Sequence, residues 1–325
     1  MEFHQASLVS KTDSDFLIAT VEQATADPRA GIFGPASVSW KINRESALFL
    51  GAARAALLQL AHPWVATALE QHSTLMARPI ARFHSTFRIV FAMIFGSLGQ
   101  AVAVARHLYT VHTHIRGKMS EDIAAWRRGS PYEANEIAAL RWVYATLVES
   151  AVLAYECVMP PLTPGELAAY FAESKTLAGL FGLPASELPD DWPGFLKYCR
   201  AMENSDILGV SKTARVMAKD LLAGAGSWIK PPHWYCALTT EWLATRFRQE
   251  FGLPFGDTEK QAAERAKQRL PRFYPRLPGA IRFIGPWHEA QARLKGKGIG
   301  VVGRLANRFW IGESRLPFFN EDSGT

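Results

Sequence analysis

Cysteine is scarce in this chain: three in 325 residues, Cys157, Cys199 and Cys236. An odd number with no CxxC spacing builds neither a thiolate zinc site nor a disulfide framework. They read as small buried apolar residues in a reducing compartment. A membrane-length apolar run is missing too. The uncharged stretch 89–105 has only 17 residues and is interrupted by Gly96, Ser97, Gly99 and Gln100, so it reads as two buried helices meeting near Gly96. The opening "MEFHQASLVSKTDSDF" has no basic region leading into an apolar one, so no secretory signal is expected and the expected location is cytoplasmic. Also absent are alternating strand patterns, internal repeats, Glu-x-x-His pairs, His-Glu-x-x-His, a Gly-x-Ser-x-Gly elbow and a P-loop. Their absence argues against a di-iron bundle, a zinc protease, a serine hydrolase and a nucleotide phosphohydrolase. The glycines of "GKGIGVVG" (296–303) resemble a dinucleotide loop only loosely, because they follow no strand and open no clear helix.

What the chain does have is helical periodicity. At 48% hydrophobic and 20% charged residues it is globular. Amphipathic segments fall at about 13–26, 43–63 (Asn43 as cap, Pro63 as interruption), 64–73, 79–95, 98–117, 133–158, 163–182, 194–204, 208–223, 235–250, 257–269 and 286–296. The expected fold is all-α: one globular domain of about ten helices over residues 13–312, with tails at 1–12 and 313–325. The segment "ALRWVYATLVESAVLAYE" is apolar on nearly every side and is expected to be the central buried helix. Glu149 inside it is either a core carboxylate paired with a buried arginine, Arg54 or Arg44, or a site residue.

Two segments carry chemistry. In "ARFHSTFRIVFAMIFG" (81–96), Phe83, Phe87, Val90, Phe91 and Ile94 form an ordinary core stripe. Opposite them, Arg82, Thr86, Ile89 and Met93 form a second row, which suits neither a solvated face nor a dry core. In "RHLYTVHTHIRG", His112 falls within roughly 60° of the centre of the apolar face defined by Ala101, Val104, Leu108, Val111 and Ile115, where it is either a satisfied core histidine or a ligand, while His107 and His114 read as edge or surface residues. A haem between the two helices would use this set: one imidazole on iron, an apolar slot for the porphyrin, and donors on the other side for dioxygen.

Charge is uneven. Between Lys260 and Arg308 there are twelve Lys or Arg against Glu264 and Glu289. Phe273, Tyr274, Phe283 and Trp287 are interleaved with them. The segment is either a solvated basic face or a contact for anionic lipid headgroups, making the protein peripheral to a membrane. Nothing resembling a nucleic-acid recognition motif accompanies it.

In order and spacing, "GPASVSWKINRESALFLGAARAALLQLAHPWVATALEQHS", "ARFHSTFRIVFAMIFG", "VHTHIRG", "WVYATLVES" and "LAYE" together resemble the latex-clearing-protein and MpaB-type oxygenases over about residues 34–202. The resemblance implies a mainly helical fold, haem b held by one histidine, and O2-dependent cleavage of carbon–carbon double bonds in isoprenoid chains. It also implies His112 as the iron ligand and Arg82 and Thr86 as the distal pair, with Ile89 and Met93 walling an apolar substrate. This chain departs from the pattern at Ser85, where rubber oxygenases have a lysine, and at Tyr144, where many relatives have histidine. A general base is not identified by the motifs; Glu70 and Glu149 are weak candidates. The alternative reading is a haem- or lipid-binding protein without turnover.

Overall fold

The computed structural model describes residues 7–72, 79–225 and 230–317; the side chains of residues 79, 80 and 82 lie outside that description. Sixteen α-helices occur in the described residues, in chain order α1 (Lys11–Ala24), α2 (Val38–Asn43), α3 (Ala52–Leu60), α4 (Pro63–His72), α5 (Pro79–Phe95), α6 (Leu98–His114), α7 (Ile137–Glu156) and α8 (Pro164–Leu180). There follow α9 (Trp192–Glu203), α10 (Lys212–Ala223), α11 (His233–Glu241), α12 (Thr245–Phe251), α13 (Asp257–Phe273), α14 (Gly279–Arg282), α15 (Gly285–Leu294) and α16 (Val301–Ile311). The only sheet among these residues is an antiparallel pair, β1 (Arg116–Lys118) and β2 (Pro131–Glu133). The protein is an all-α single domain, as its periodicity implied.

Helix α7 is the axis of the main core. Trp142, Tyr144, Ala145, Val148 and Tyr155 along it are all nearly inaccessible. Trp142 Nε1 donates to Leu58 O on α3 at 2.9 Å. Gly51, just before α3, lets the two helices touch, since a Cβ there would lie 2.4 Å from Ser150 O. By length and composition α7 could also cross a membrane, but its burial among α3, α8 and α9 explains its apolar circumference without one.

Several boundaries differ from the sequence expectation, each for a local reason. The helix expected over 43–63 is three pieces. Asn43 does not cap it: its Nδ2 donates back to Ser39 O at 2.9 Å, closing α2, and residues 46–50 form a 3-10 turn before α3. The break expected at Pro63 is there: α3 ends at Leu60 and Pro63 begins α4, a first-turn position where its missing N–H costs nothing. The segment 235–250 is broken into α11 and α12, because the Trp242 and Leu243 carbonyls take side-chain donors, Arg54 Nε at 3.0 Å and Arg248 Nε at 3.0 Å. The "GVVG" glycines do open a helix: Gly300 is the N-cap of α16. Val9, inside the stretch expected as a tail, is buried in the main core and its N–H reaches Asn135 O at 3.0 Å. Of the cysteines, all free, only Cys199 is fully buried.

A second core cluster holds α5 and α6 together with α1 and α15. The two helices form a hairpin whose corner is Gly96–Ser97. Ser97 caps α6 through a reciprocal pair, Gln100 N–H to Ser97 Oγ at 3.3 Å and Ser97 N–H to Gln100 Oε1 at 3.0 Å. The corner is clamped from outside by Gly31, at φ +86°, where a Cβ would lie 2.2 Å from Gly96 O.

Candidate functional site

Helix α6 presents a row of buried small and apolar residues, Ala101, Val104, Ala105 and Leu108. His112 continues that row one turn further and is half-buried, whereas His107 and His114 are exposed. Val111, counted with the apolar face from the sequence, is 39% exposed; it lies on the edge where the last turn leaves the core. His114 is engaged locally, its Nδ1 2.7 Å from Thr110 O. The last turn of α6 sits where three apolar clusters meet, with Leu108 in the second core, Tyr109 against the main core and Ile115 against a third around Trp64 and Tyr132.

Helix α5 is half-buried on every side from Phe83 to Val90. One flank meets a C-terminal helix: His84 Nε2 is 3.1 Å from Phe309 O, and Phe49, stacked on Trp310 at 4.0 Å, also contacts Phe83 and Phe87. The other flank carries Thr86 and Ile89. At 1.5 Å per residue, Thr86 stands about 13 Å from the hairpin corner and His112 about 21 Å, so His112 is level with Ala81 and Arg82. The Arg82 side chain itself lies outside the described residues. Met93 is fully buried near the corner, about 18 Å along the helix axis from the level of His112. Counted along the two helices, the level of His112 falls in the N-terminal half of α5, that of Thr86 and Ile89 between it and the corner, and Met93 is buried nearest the corner.

The end of α4 closes this region. His72 Nε2 lies 3.1 Å from Arg116 O, Gln71 Nε2 donates to Lys118 O at 3.2 Å, and Tyr132 Oη donates to Gln71 Oε1 at 2.7 Å. The β-hairpin thus ties the C-terminus of α4 to the chain leaving α6. Gln71, His72 and Tyr132 were not singled out in the sequence; strands of three residues show no alternation to read.

The two weak base candidates separate. Glu149 is committed to Arg54 at 2.7 Å, the core pairing that its apolar helix required. Glu70 is exposed and accepts from Thr213 Oγ1 at 3.1 Å. Tyr144 lies behind α5, where its hydroxyl is 2.6 Å from Ser174 Oγ and burial pushes its pKa well up. It lines a cavity of about 30 Å³ with Ser39, Asn43, Tyr170 and Ser174, room for one water.

These residues fit a haem on the chemistry of the donor set. One half-buried imidazole stands in the last turn of α6, where apolar clusters meet, and the neighbouring helix of the hairpin carries a hydroxyl and an aliphatic chain on one flank. No group of three or more His, Cys, Asp or Glu side chains that could hold a bare metal ion occurs among the described residues.

Residues 40–276 match the family model of the ER-bound oxygenase mpaB/B'/rubber oxygenase catalytic domain. The chain belongs to this oxygenase family. The match covers α3 to α13 in full and runs past Met202, where the motif resemblance ended; α14, α15 and α16 lie beyond it. No curated protein and no solved structure matches the chain. As a member of an oxygenase family the protein is an oxidoreductase by class.

Proposed function

We propose that this chain is a haem b-dependent oxygenase that uses O2 to cleave a carbon–carbon double bond of an apolar, isoprenoid or polyene substrate. The observation that carries the reading is His112: the one half-buried histidine of α6, on the helix's apolar row and level with the Arg82 turn of α5, inside the span matched by the oxygenase family.

In this reading a neutral His112 imidazole would hold the iron through one nitrogen, and an acceptor on the other nitrogen would set its tautomer. The haem, when bound, supplies the iron centre that activates dioxygen. The protein does the rest. Arg82 and Thr86, one turn apart in the sequence of α5, would supply a guanidinium and a hydroxyl as donors to negative charge on oxygen, where a setting poor in water makes such donors count most. Ile89 offers the hydrocarbon an apolar wall, and Met93 backs that wall from the core. Ser85 replaces the lysine of rubber oxygenases, so this chain lacks that side chain as a group that could close the site from within.

The protein as purified should carry about one b-type haem per chain, measured by pyridine haemochrome. His112→Ala should lose most of it and His114→Ala should keep it. Oxygen uptake with a polyene then distinguishes turnover from storage. A colourless but folded protein after haem supplementation ends the reading.

A further inference from the structure

Helix α16 is built inside out. Its packed face is Gly303, Asn307, Trp310 and Ile311, set so close to α15 that a Cβ on Gly285 would lie 2.4 Å from the Asn307 nitrogen. Its opposite face should be charged. Instead Val301, Val302, Leu305 and Phe309 stand there 63%, 56%, 58% and 49% exposed. At about 100° per residue these four span a single arc of about 100°, and Arg304 and Arg308 line one edge of it. Neither arginine forms an ion pair among the described residues. Between them and Ser314, against Val301 and Leu305, runs a groove of about 420 Å³.

We propose that this face of α16 is an interfacial docking surface for an anionic lipid bilayer. The groove offers two guanidinium groups and a hydroxyl to a phosphate or carboxylate headgroup, with valine and leucine beside them for the first carbons of an acyl chain. Four apolar side chains on one arc of a surface helix, edged by arginine, are what a helix lying in the headgroup plane requires. A second copy of this chain fits worse. In an antiparallel twofold contact the arginine edge would meet itself, and in any twofold contact one stripe on an 11-residue helix falls well short of the roughly 20–30 residues a side of a stable interface. The basic segment adds a wider field, though not all of it: Arg282 is held by Glu45, Lys267 by Glu241 and Glu264, and Arg293 by the Arg29 and Phe95 carbonyls. Because α16 lies beyond the family match, the surface is an addition to the catalytic span and stands independently of the haem reading.

The test is co-sedimentation of the full chain with phosphatidylcholine vesicles carrying phosphatidylserine, at low and high salt, alongside sedimentation velocity without lipid. Wild type should pellet at low salt and be partly released by high salt. Leu305→Asp should weaken binding about tenfold or more, the worth of one buried leucine. Arg304→Gln and Arg308→Gln should each weaken it about fivefold. Phe309→Trp should blue-shift its emission only when vesicles are present. Inorganic phosphate should not displace the protein. The proposal is overturned if wild type stays in the supernatant at low salt, if Leu305→Asp binds as well as wild type, or if the face drives a dimer that Leu305→Asp dissolves.

Discussion

Arg54 Nη2 lies 2.7 Å from Glu149 Oε2, joining α3 to α7 inside the main core. The same guanidinium donates to Ser150 Oγ at 3.0 Å and Trp242 O at 3.0 Å, with Glu203 at 3.5 Å. Burial raises the Glu203 pKa and Arg54 opposes that rise. Removing the arginine strands two carboxylates, so Arg54→Met should cost about 3–5 kcal/mol. Glu149→Gln leaves the guanidinium three partners and should cost about 1–2 kcal/mol. Urea denaturation of both variants checks the order; equal costs would mean that the carboxylate, and not the arginine, organises the cluster.

His62 is buried between Trp64 and Trp126, with ring centroids 5.1 and 5.4 Å away, and its Nδ1 has no hydrogen-bond partner among the described residues. Burial depresses its pKa to about 3. The unfolded chain, with an ordinary imidazole, therefore binds a proton through the window from about 6.5 down to about 3 that the folded chain refuses. Stability from this site is complete above pH 6.5 and is lost as pH falls below it, by about 2 kcal/mol at pH 5. His62→Phe should flatten that acid limb. Thermal melts between pH 5 and 8 decide it, and an unchanged limb in the variant assigns the acid sensitivity elsewhere.

Arg82 and Thr86 separate catalysis from haem retention. Truncating either should leave haem content and fold nearly intact while lowering oxygen uptake by about 10²–10³. Arg82→Ala should lose more than Thr86→Val, because a charged donor makes the stronger bond. Arg82→Lys should rescue only in part. If Arg82→Ala sheds haem as readily as His112→Ala, the arginine serves the haem's edge and the distal assignment fails.

Tyr144→Phe should keep the fold and cost about 1 kcal/mol, the net worth of its bond to Ser174, since Ser174 Oγ still donates to Phe171 O at 2.8 Å. Equilibrium unfolding measures it. A cost several times larger would show that the phenol also orders the small polar cavity behind α5.

The fold was legible wherever apolar period and punctuation agreed. Helix α5 begins and ends where expected, and Thr163 and Pro164 start α8 with a capping box. The Arg54–Glu149 pair was legible because a carboxylate in an all-apolar helix demands a partner. Helix α16 was not: its glycines at 296, 298, 300 and 303 mask the start of a helix that is apolar on its outward as well as its inward face, so no single stripe stands out. Pro271 ended the expected helix early, yet α13 runs to Phe273. The half-buried position of His112 on α6 was visible from spacing alone. The tie between α4 and the β-hairpin was not, since it rests on Gln71, His72 and Tyr132 meeting across the chain.

The Gly31–Gly96 clamp turns the α5–α6 hairpin into a pair of levers with a shared fulcrum. The arm from that fulcrum to His112 is about 21 Å. An opening of only about 3° at the corner therefore moves His112 about 1 Å relative to the N-terminal half of α5, a misplacement on the scale that costs about a hundredfold in positioned chemistry. A side chain at Gly31 would apply such an opening, since its Cβ would meet the Gly96 carbonyl 2.2 Å away. Alignment of the two helix arms is thus governed at the end of the hairpin farthest from the proposed iron ligand, by two residues that have no side chains.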